Sequence, residues 1–317
     1  MKTQKPIKYC RIGGALCAGA LLLAGTRVPA QNMFIGSYGD ENIVKYPTSG
    51  PSTTFATGLD YPASLAFNGA GDLFEADQFS GIVNEYMPGG GAPTQFATGL
   101  NNPTSLAFDS AGDLFVGTQN NNILEYAVGG GPATIYATGL SSPDALAFDS
   151  KGDLFVANQA GDITGAGFIT KITPGKVQTT FASGLTNPSG LAFNGAGSLY
   201  FSEGNGGDDI QIIAPGGGTP ISYATGLNDP AGIAFDNSGD LFVVDQGFQH
   251  ETGDITEFTA SNQELVYSTS VNKLASIAFQ GEMLPVPEPS VVALAGMGAG
   301  ALLFFRRKRT SSRQDQP

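Results

Sequence analysis

Tryptophan is absent from this 317-residue chain, histidine occurs once, and both cysteines, Cys10 and Cys17, lie near the N-terminus. One histidine, His250, cannot build a multi-histidine zinc site. Beyond Cys17 there is no cysteine for a disulfide, a thiol nucleophile or a thiolate metal site. The lack of tryptophan removes the largest aromatic platform. Positive charge is also scarce. Between Gln31 and Pro285 stand five lysines and no arginine against 26 Asp and Glu, a formal charge of −21. That sign opposes nucleic-acid binding, which needs cations against phosphate. It opposes docking on anionic lipid in the same way. Cations, carbohydrates, and neutral or basic partners remain.

What the chain has in plenty is one stretch, repeated. Thr98–Gln119 reads T-G-L-N-N-P-T-S-L-A-F-D-S-A-G-D-L-F-V-G-T-Q. Its T-G-L leucine recurs at Leu59, Leu100, Leu140, Leu185 and Leu227, with Val271 as a degenerate sixth. The spacings of 41, 40, 45, 42 and 44 residues match one four-stranded propeller blade. Within each copy, triplets such as Leu106-Ala107-Phe108 alternate as a strand does. An Asp/Asn-x-x-Gly-Asp hairpin turn follows, then a second strand such as Leu114-Phe115-Val116. The third strand carries I-x-x-aromatic, as in Ile123–Tyr126. Gly-rich turns lead to an outer strand carrying Phe55, Phe96, Tyr136, Phe181, Tyr223 or Tyr267. The fold class is all-β: a six-bladed propeller over residues 31–284.

Met33–Ser37 matches a second strand, so the domain opens in mid-blade. The missing first strand is Leu274–Phe279, at the far end. Pairing the two closes the ring and removes open edges.

Pro-x-x-Leu/Ile-Ala-Phe-Asp-x-x-Gly-Asp-Leu-Phe-Val-x-Asp, clearest at Pro230–Asp245, closely resembles the NHL repeat. The resemblance covers Met33 to Leu284. It implies a place in the wider gluconolactonase-like and TolB-like group of six-bladed propellers.

Both ends carry addresses. Residues 1–30 read as a secretory signal peptide: Lys2, Lys5, Lys8 and Arg11, then apolar Ile12–Ala24, then Val28-Pro29-Ala30. After Leu284 come Pro287-Glu288-Pro289, an apolar run Val291–Phe305, and Arg306-Arg307-Lys308-Arg309. This order, over residues 285–309 with a polar tail at 310–317, resembles the PEP-CTERM sorting signal. The resemblance implies processing by an exosortase in a bacterium that makes exopolysaccharide. The basic tail stays cytoplasmic, so the apolar run would hold the chain in the membrane before processing. The domain is then exported to the cell surface, outer envelope or extracellular matrix.

For a site, the stretch after the second strand differs in every blade, as a binding surface does on a rigid frame. The T-G-L-x-x-P loops are nearly constant and read as scaffold. At the end of the second strand stand Ser37, Asp77, Thr118, Asn158, Glu203 and Asp245. Six-fold geometry gathers Asp77, Asn158, Glu203 and Asp245 at the channel mouth, where such oxygens suit Ca²⁺ or another hard divalent cation. Each can also simply cap its own loop. Tyr38, Gln119, Gln246 and His250 are the candidate ligand-binding residues near the mouth. Asp208-Asp209 lacks the spacing of an EF-hand loop.

The resemblance to gluconolactonase-like enzymes implies a strand-end carboxylate ligand, plus Glu and Asn from preceding loops. Those loop positions hold Pro62, Pro103, Pro143, Pro188, Pro230 and Leu274, none of which can ligate. The expectation is therefore a surface-associated binding or scaffold propeller whose partner is a polysaccharide or an extracellular protein. A metal-dependent gluconolactonase-like hydrolase or lyase is the alternative.

Overall fold

A computed structural model describes residues 31–160, 165–204, 206–247, 252–261 and 263–281. The expected signal peptide, sorting motif Pro287-Glu288-Pro289, apolar tail and His250 lie outside the described residues. Six four-stranded antiparallel sheets form the six blades. No helix of the described residues is long and apolar enough to cross a membrane.

Each innermost strand begins at the proline of T-G-L-x-x-P: Pro62–Phe67, Pro103–Phe108, Pro143–Phe148, Pro188–Phe193 and Pro230–Phe235, with Leu274–Phe279 as the sixth. Proline has no N–H to give a ladder and is tolerated where a strand starts. The glycine before each T-G-L leucine takes a left-handed φ, 72° at Gly99 and 76° at Gly139. A side chain there would meet nothing within 4 Å, so the φ alone demands glycine. Second strands such as Leu73–Asp77 and Leu114–Thr118 are buried along their whole length, sandwiched between neighbouring blades. The hairpin after the first strand is an Asx turn. Asp109 Oδ1 accepts the N–H groups of Ala111 and Asp113, both at 2.9 Å.

Aromatic side chains fasten each blade to the next. The second-strand ring of one blade meets the first-strand phenylalanine of the following blade edge-on: Phe34 with Phe67, Phe74 with Phe108, Phe115 with Phe148, Phe155 with Phe193, Tyr200 with Phe235. Phe242 with Phe279 returns the series to the first blade, centroids 5.0 Å apart. Pairs of this geometry contribute about 0.5–1.5 kcal/mol each beyond their area.

The ring closes as the repeat predicts. Leu274–Phe279 is the innermost strand of the blade that also contains Met33–Ser37, Asn42–Tyr46 and Thr53–Thr57. Met33 pairs with Phe279 and Ile35 with Ile277. Beside them, Asn32 Nδ2 donates to Gln280 Oε1 at 2.8 Å and Gln31 Nε2 to the Gln280 carbonyl at 3.1 Å.

Candidate functional site

The starts of the innermost strands surround one end of the central channel. In every blade the residue before the strand has a left-handed backbone: Tyr61 (φ 73°), Asn102 (43°), Ser142 (48°), Asn187 (45°), Asp229 (59°) and Lys273 (48°). Asn and Asp adopt this region readily; Tyr, Ser and Lys do so at a cost. The turn latches two loops together. The carbonyl of Tyr61 accepts the Gln78 N–H at 3.0 Å, and that of Ser142 the Gln159 N–H at 3.2 Å. The carbonyl of Asp229 accepts the Gln246 N–H at 3.1 Å, and the other three blades repeat the bond.

This latch builds a funnel of about 360 Å³. Three repeat positions line it: the residues before the prolines, among them Tyr61, Ser142, Asn187 and Asp229; those after the second strands, Gln78, Gln119, Gln159 and Gln246, with Gly204 in place of a fifth amide; and those after the prolines, including Thr104, Asp144 and Ser189. Volume and lining fit a small polar ligand, at the lower end of the usual range for such sites.

Gln78 and Asp144 are the two lining groups with the most hydrogen-bonding capacity left for a ligand or solvent. Gln78 is 8% exposed, and among the described residues its side-chain amide has no hydrogen-bond partner. Asp144 accepts one bond, from Gln159 Nε2 at 2.9 Å. Burial pushes its carboxyl up to about 7, against the lowering effect of that bond. Other amides are already oriented: Asn102 Nδ2 donates to Gln119 Oε1 at 2.8 Å. At the rim, Tyr38 stacks on Tyr61 with centroids 4.5 Å apart, and its hydroxyl reaches Gln246 Oε1 at 3.4 Å. Phe79 continues the edge, 5.0 Å from Tyr61.

The four strand-end residues foreseen as a metal ring do not line the funnel. Each serves its own loop. Asp77 accepts the Asp60 N–H through both oxygens, Asn158 that of Ser141 at 3.0 Å, and Glu203 that of Thr186 at 2.7 Å. Asp245 accepts from the Asn228 backbone. The physical reason is strand alternation: the strand-end side chain turns into the blade-to-blade loop, and the next residue faces the axis.

Glu203 and Asp245 do belong to an acidic corner between two blades. Burial raises Asp245 to about 7, with Asp254, Asp208 and Asp229 adding to the rise. Asp208 Oδ1, Asp209 Oδ1 and Asp245 Oδ1 are buried without a donor. Even so, no group of three or more His, Cys, Asp or Glu among the described residues is placed to hold a metal ion.

Tyr38, Gln119 and Gln246 thus stand at the mouth, and His250 lies outside the described residues. Sequence reading missed Tyr61 and Asp229, which sit in the T-G-L-x-x-P loops taken for scaffold, and Asp144, which directly follows the proline as the second residue of an innermost strand. Gln78 and Gln159 entered it only as the first residues of the variable stretches Gln78–Gly81 and Gln159–Gly167. The signal was available. Aligned on the proline, the flanking positions read Tyr/Ala, Asn/Thr, Ser/Asp, Asn/Ser and Asp/Ala, variable inside a constant frame.

No protein-family model and no curated protein matches the chain. Solved structures do. A chain of a nidogen/laminin complex is 17% identical with a TM-score of 0.70, over 79% of this chain and 98% of that one. A gluconolactonase from Xanthomonas campestris is 16% identical with a TM-score of 0.62, over 79% and 89%. The calcium-binding protein regucalcin from Agrobacterium tumefaciens is 16% identical with a TM-score of 0.60, over 69% and 78%. At these identities the likeness establishes the six-bladed fold.

Proposed function

We propose that the axial funnel is the working site of an exported propeller, and that Asp144 exchanges a proton with a small polar ligand bound there. The reading is that of a hydrolase or lyase rather than a passive scaffold. One observation carries it: a carboxyl with a single protein donor, raised to about 7, on the wall of the funnel. A general acid or base works best when its pKa lies near the working pH. The gluconolactonase among the fold neighbours supports an enzymatic use of this end of the propeller. Calcium-binding regucalcin makes a divalent cation a fair companion, but no step here depends on one.

Within this proposal the chain's own groups divide the work. Gln159 orients the Asp144 carboxyl, the amides of Gln78, Gln119 and Gln246 bind and align the ligand, and Asp144 takes or delivers the proton. The signal-peptide-like N-terminus and the PEP-CTERM-like tail support a setting for this activity at the cell surface. An exosortase is the processing partner, and a polysaccharide or extracellular protein the setting. Intact-mass measurement on surface-extracted protein tests that address; a cytoplasmic protein with both ends intact contradicts it.

The chemical test is turnover of a panel of neutral lactones and cyclic esters by the wild type and by Asp144→Asn. The variant should bind a turned-over compound normally and lose at least about a hundredfold in rate. Equal rates in the two proteins, or no turnover by the wild type, would refute the assignment.

A further inference from the structure

We propose that the funnel selects a neutral ring compound with hydroxyls along one edge and a methyl-bearing, hydroxyl-free edge opposite, as in a deoxyhexose whose last carbon is a methyl group. The proposal rests on reading the funnel as a ligand site and names the class of ligand it takes.

One ring of lining residues is two-sided. The second residue of the innermost strand lines the funnel in every blade. These strands adjoin one another in chain order, and the last meets the first. Around the ring the position reads Ala63, Thr104, Asp144, Ser189, Ala231 and Ala275. Three polar residues thus occupy consecutive blades, and three alanines occupy the consecutive blades opposite. The same six residues in alternation would present no such sides.

The polar half offers acceptors. Thr104 Oγ1 donates to the Pro143 carbonyl, and Ser189 Oγ donates to the Pro230 carbonyl at 2.9 Å. A hydroxyl has one hydrogen, so with these committed both oxygens face a ligand as lone pairs. Asp144 stands between them and takes a single bond, from Gln159 Nε2 at 2.9 Å. A carboxylate has lone pairs for several. Three acceptors side by side call for a ligand edge made of hydroxyl donors.

The alanine half offers little to a hydroxyl. Its side chains are methyl groups. The carbonyls of Pro62, Pro230 and Ala231 already accept the hydroxyls of Ser276, Ser189 and Ser202. A ligand hydroxyl seated there gives up water for no new bond, which weakens binding. A methyl group gains from the same contact.

L-Fucose and L-galactose differ only in carrying a methyl or a hydroxymethyl group, as do L-rhamnose and L-mannose. Calorimetry of the full-length protein with both pairs tests the proposal. In at least one pair the deoxy sugar should bind about tenfold or more tightly than its hydroxylated counterpart. Ala275→Ser places a hydroxyl in the apolar half and should close most of that gap. Ala63→Ser carries the same comparison if the first variant fails to fold by circular dichroism. Thr104→Val removes an acceptor from the other half and should weaken both sugars by a similar factor, preserving the gap. Equal or reversed affinities in both pairs overturn the proposal, as does no binding of any of the four sugars at their solubility limits. A preference that survives both serine variants overturns it too, and so does undiminished binding by Thr104→Val. The lactone panel is read separately. Turnover without a deoxy preference leaves the enzymatic reading standing alone, and a deoxy preference without turnover leaves the selective funnel standing without it.

Discussion

Replacing Glu75 by glutamine isolates one charge inside a blade. Glu75 is fully buried and faces Asn84 across the ladder, where the other five blades carry Ile35, Val116, Val156, Phe201 and Val243. Asn84 Nδ2 donates to Glu75 Oε2 at 2.9 Å, and Oε1 has no partner. Burial drives the carboxyl up from 4.5 to about 8; the Asn84 bond works against the shift and the charge of Asp77 with it. Between those values the folded protein holds a proton that the unfolded chain has released. Stability therefore falls as pH rises through the window, the reverse of a salt-bridged carboxylate. At about 1.4 kcal/mol per pH unit, the full window amounts to on the order of 5 kcal/mol, an upper figure. Glutamine cannot ionise, and its oxygen can still accept from Asn84. Urea melts of both proteins from about pH 5 to about pH 9 should nearly coincide at the acid end and diverge steadily in favour of Glu75→Gln. Asp144 and Asp245 titrate in both proteins, so only the difference between the curves counts. Two parallel curves with a constant offset would refute the reasoning.

Two further outcomes follow from the same structure. Deleting residues 31–54 removes the strands that cover Ile277 and Phe279 in the closing core; the truncated chain should aggregate or melt without cooperativity, and a soluble, cooperative product would contradict ring closure. Asp245→Asn removes a buried carboxylate whose Oδ1 lacks a donor; above about pH 7 the variant should be at least as stable as wild type. In thermal melts it should also lose any stabilisation by calcium, and a calcium shift that survives would put the ion away from the acidic corner.

The repeat made the architecture legible because a blade is a local pattern. Alternation, an Asx turn and a Gly-rich turn recur with fixed spacing, and the repeat alone matches Met33–Ser37 to Leu274–Phe279. The site was legible only to within one residue. Strand alternation turns Asp77 into its loop and Gln78 towards the axis, a choice a repeat alignment does not print. Asp144 and Asp229 were hidden by their constant neighbours: proline fixes the backbone, and the flanking side chains are free to vary into the funnel. Glu75 escaped notice for a different reason. A single glutamate in an apolar strand looks like an outward-facing residue until both faces are known to be covered.

The clasp that closes the ring also has a mechanical direction. Met33, where the chain enters its first strand, is paired with Phe279, where it leaves its last. Tension between the two ends acts on that pair first and then on Phe34 with Ala278. The ladder opens rung by rung, as a zipper does, instead of shearing all its bonds together. A pull on the two ends of the domain would thus begin at the clasp, while the five other blades, each with all four of its strands from one continuous stretch of chain, stay folded.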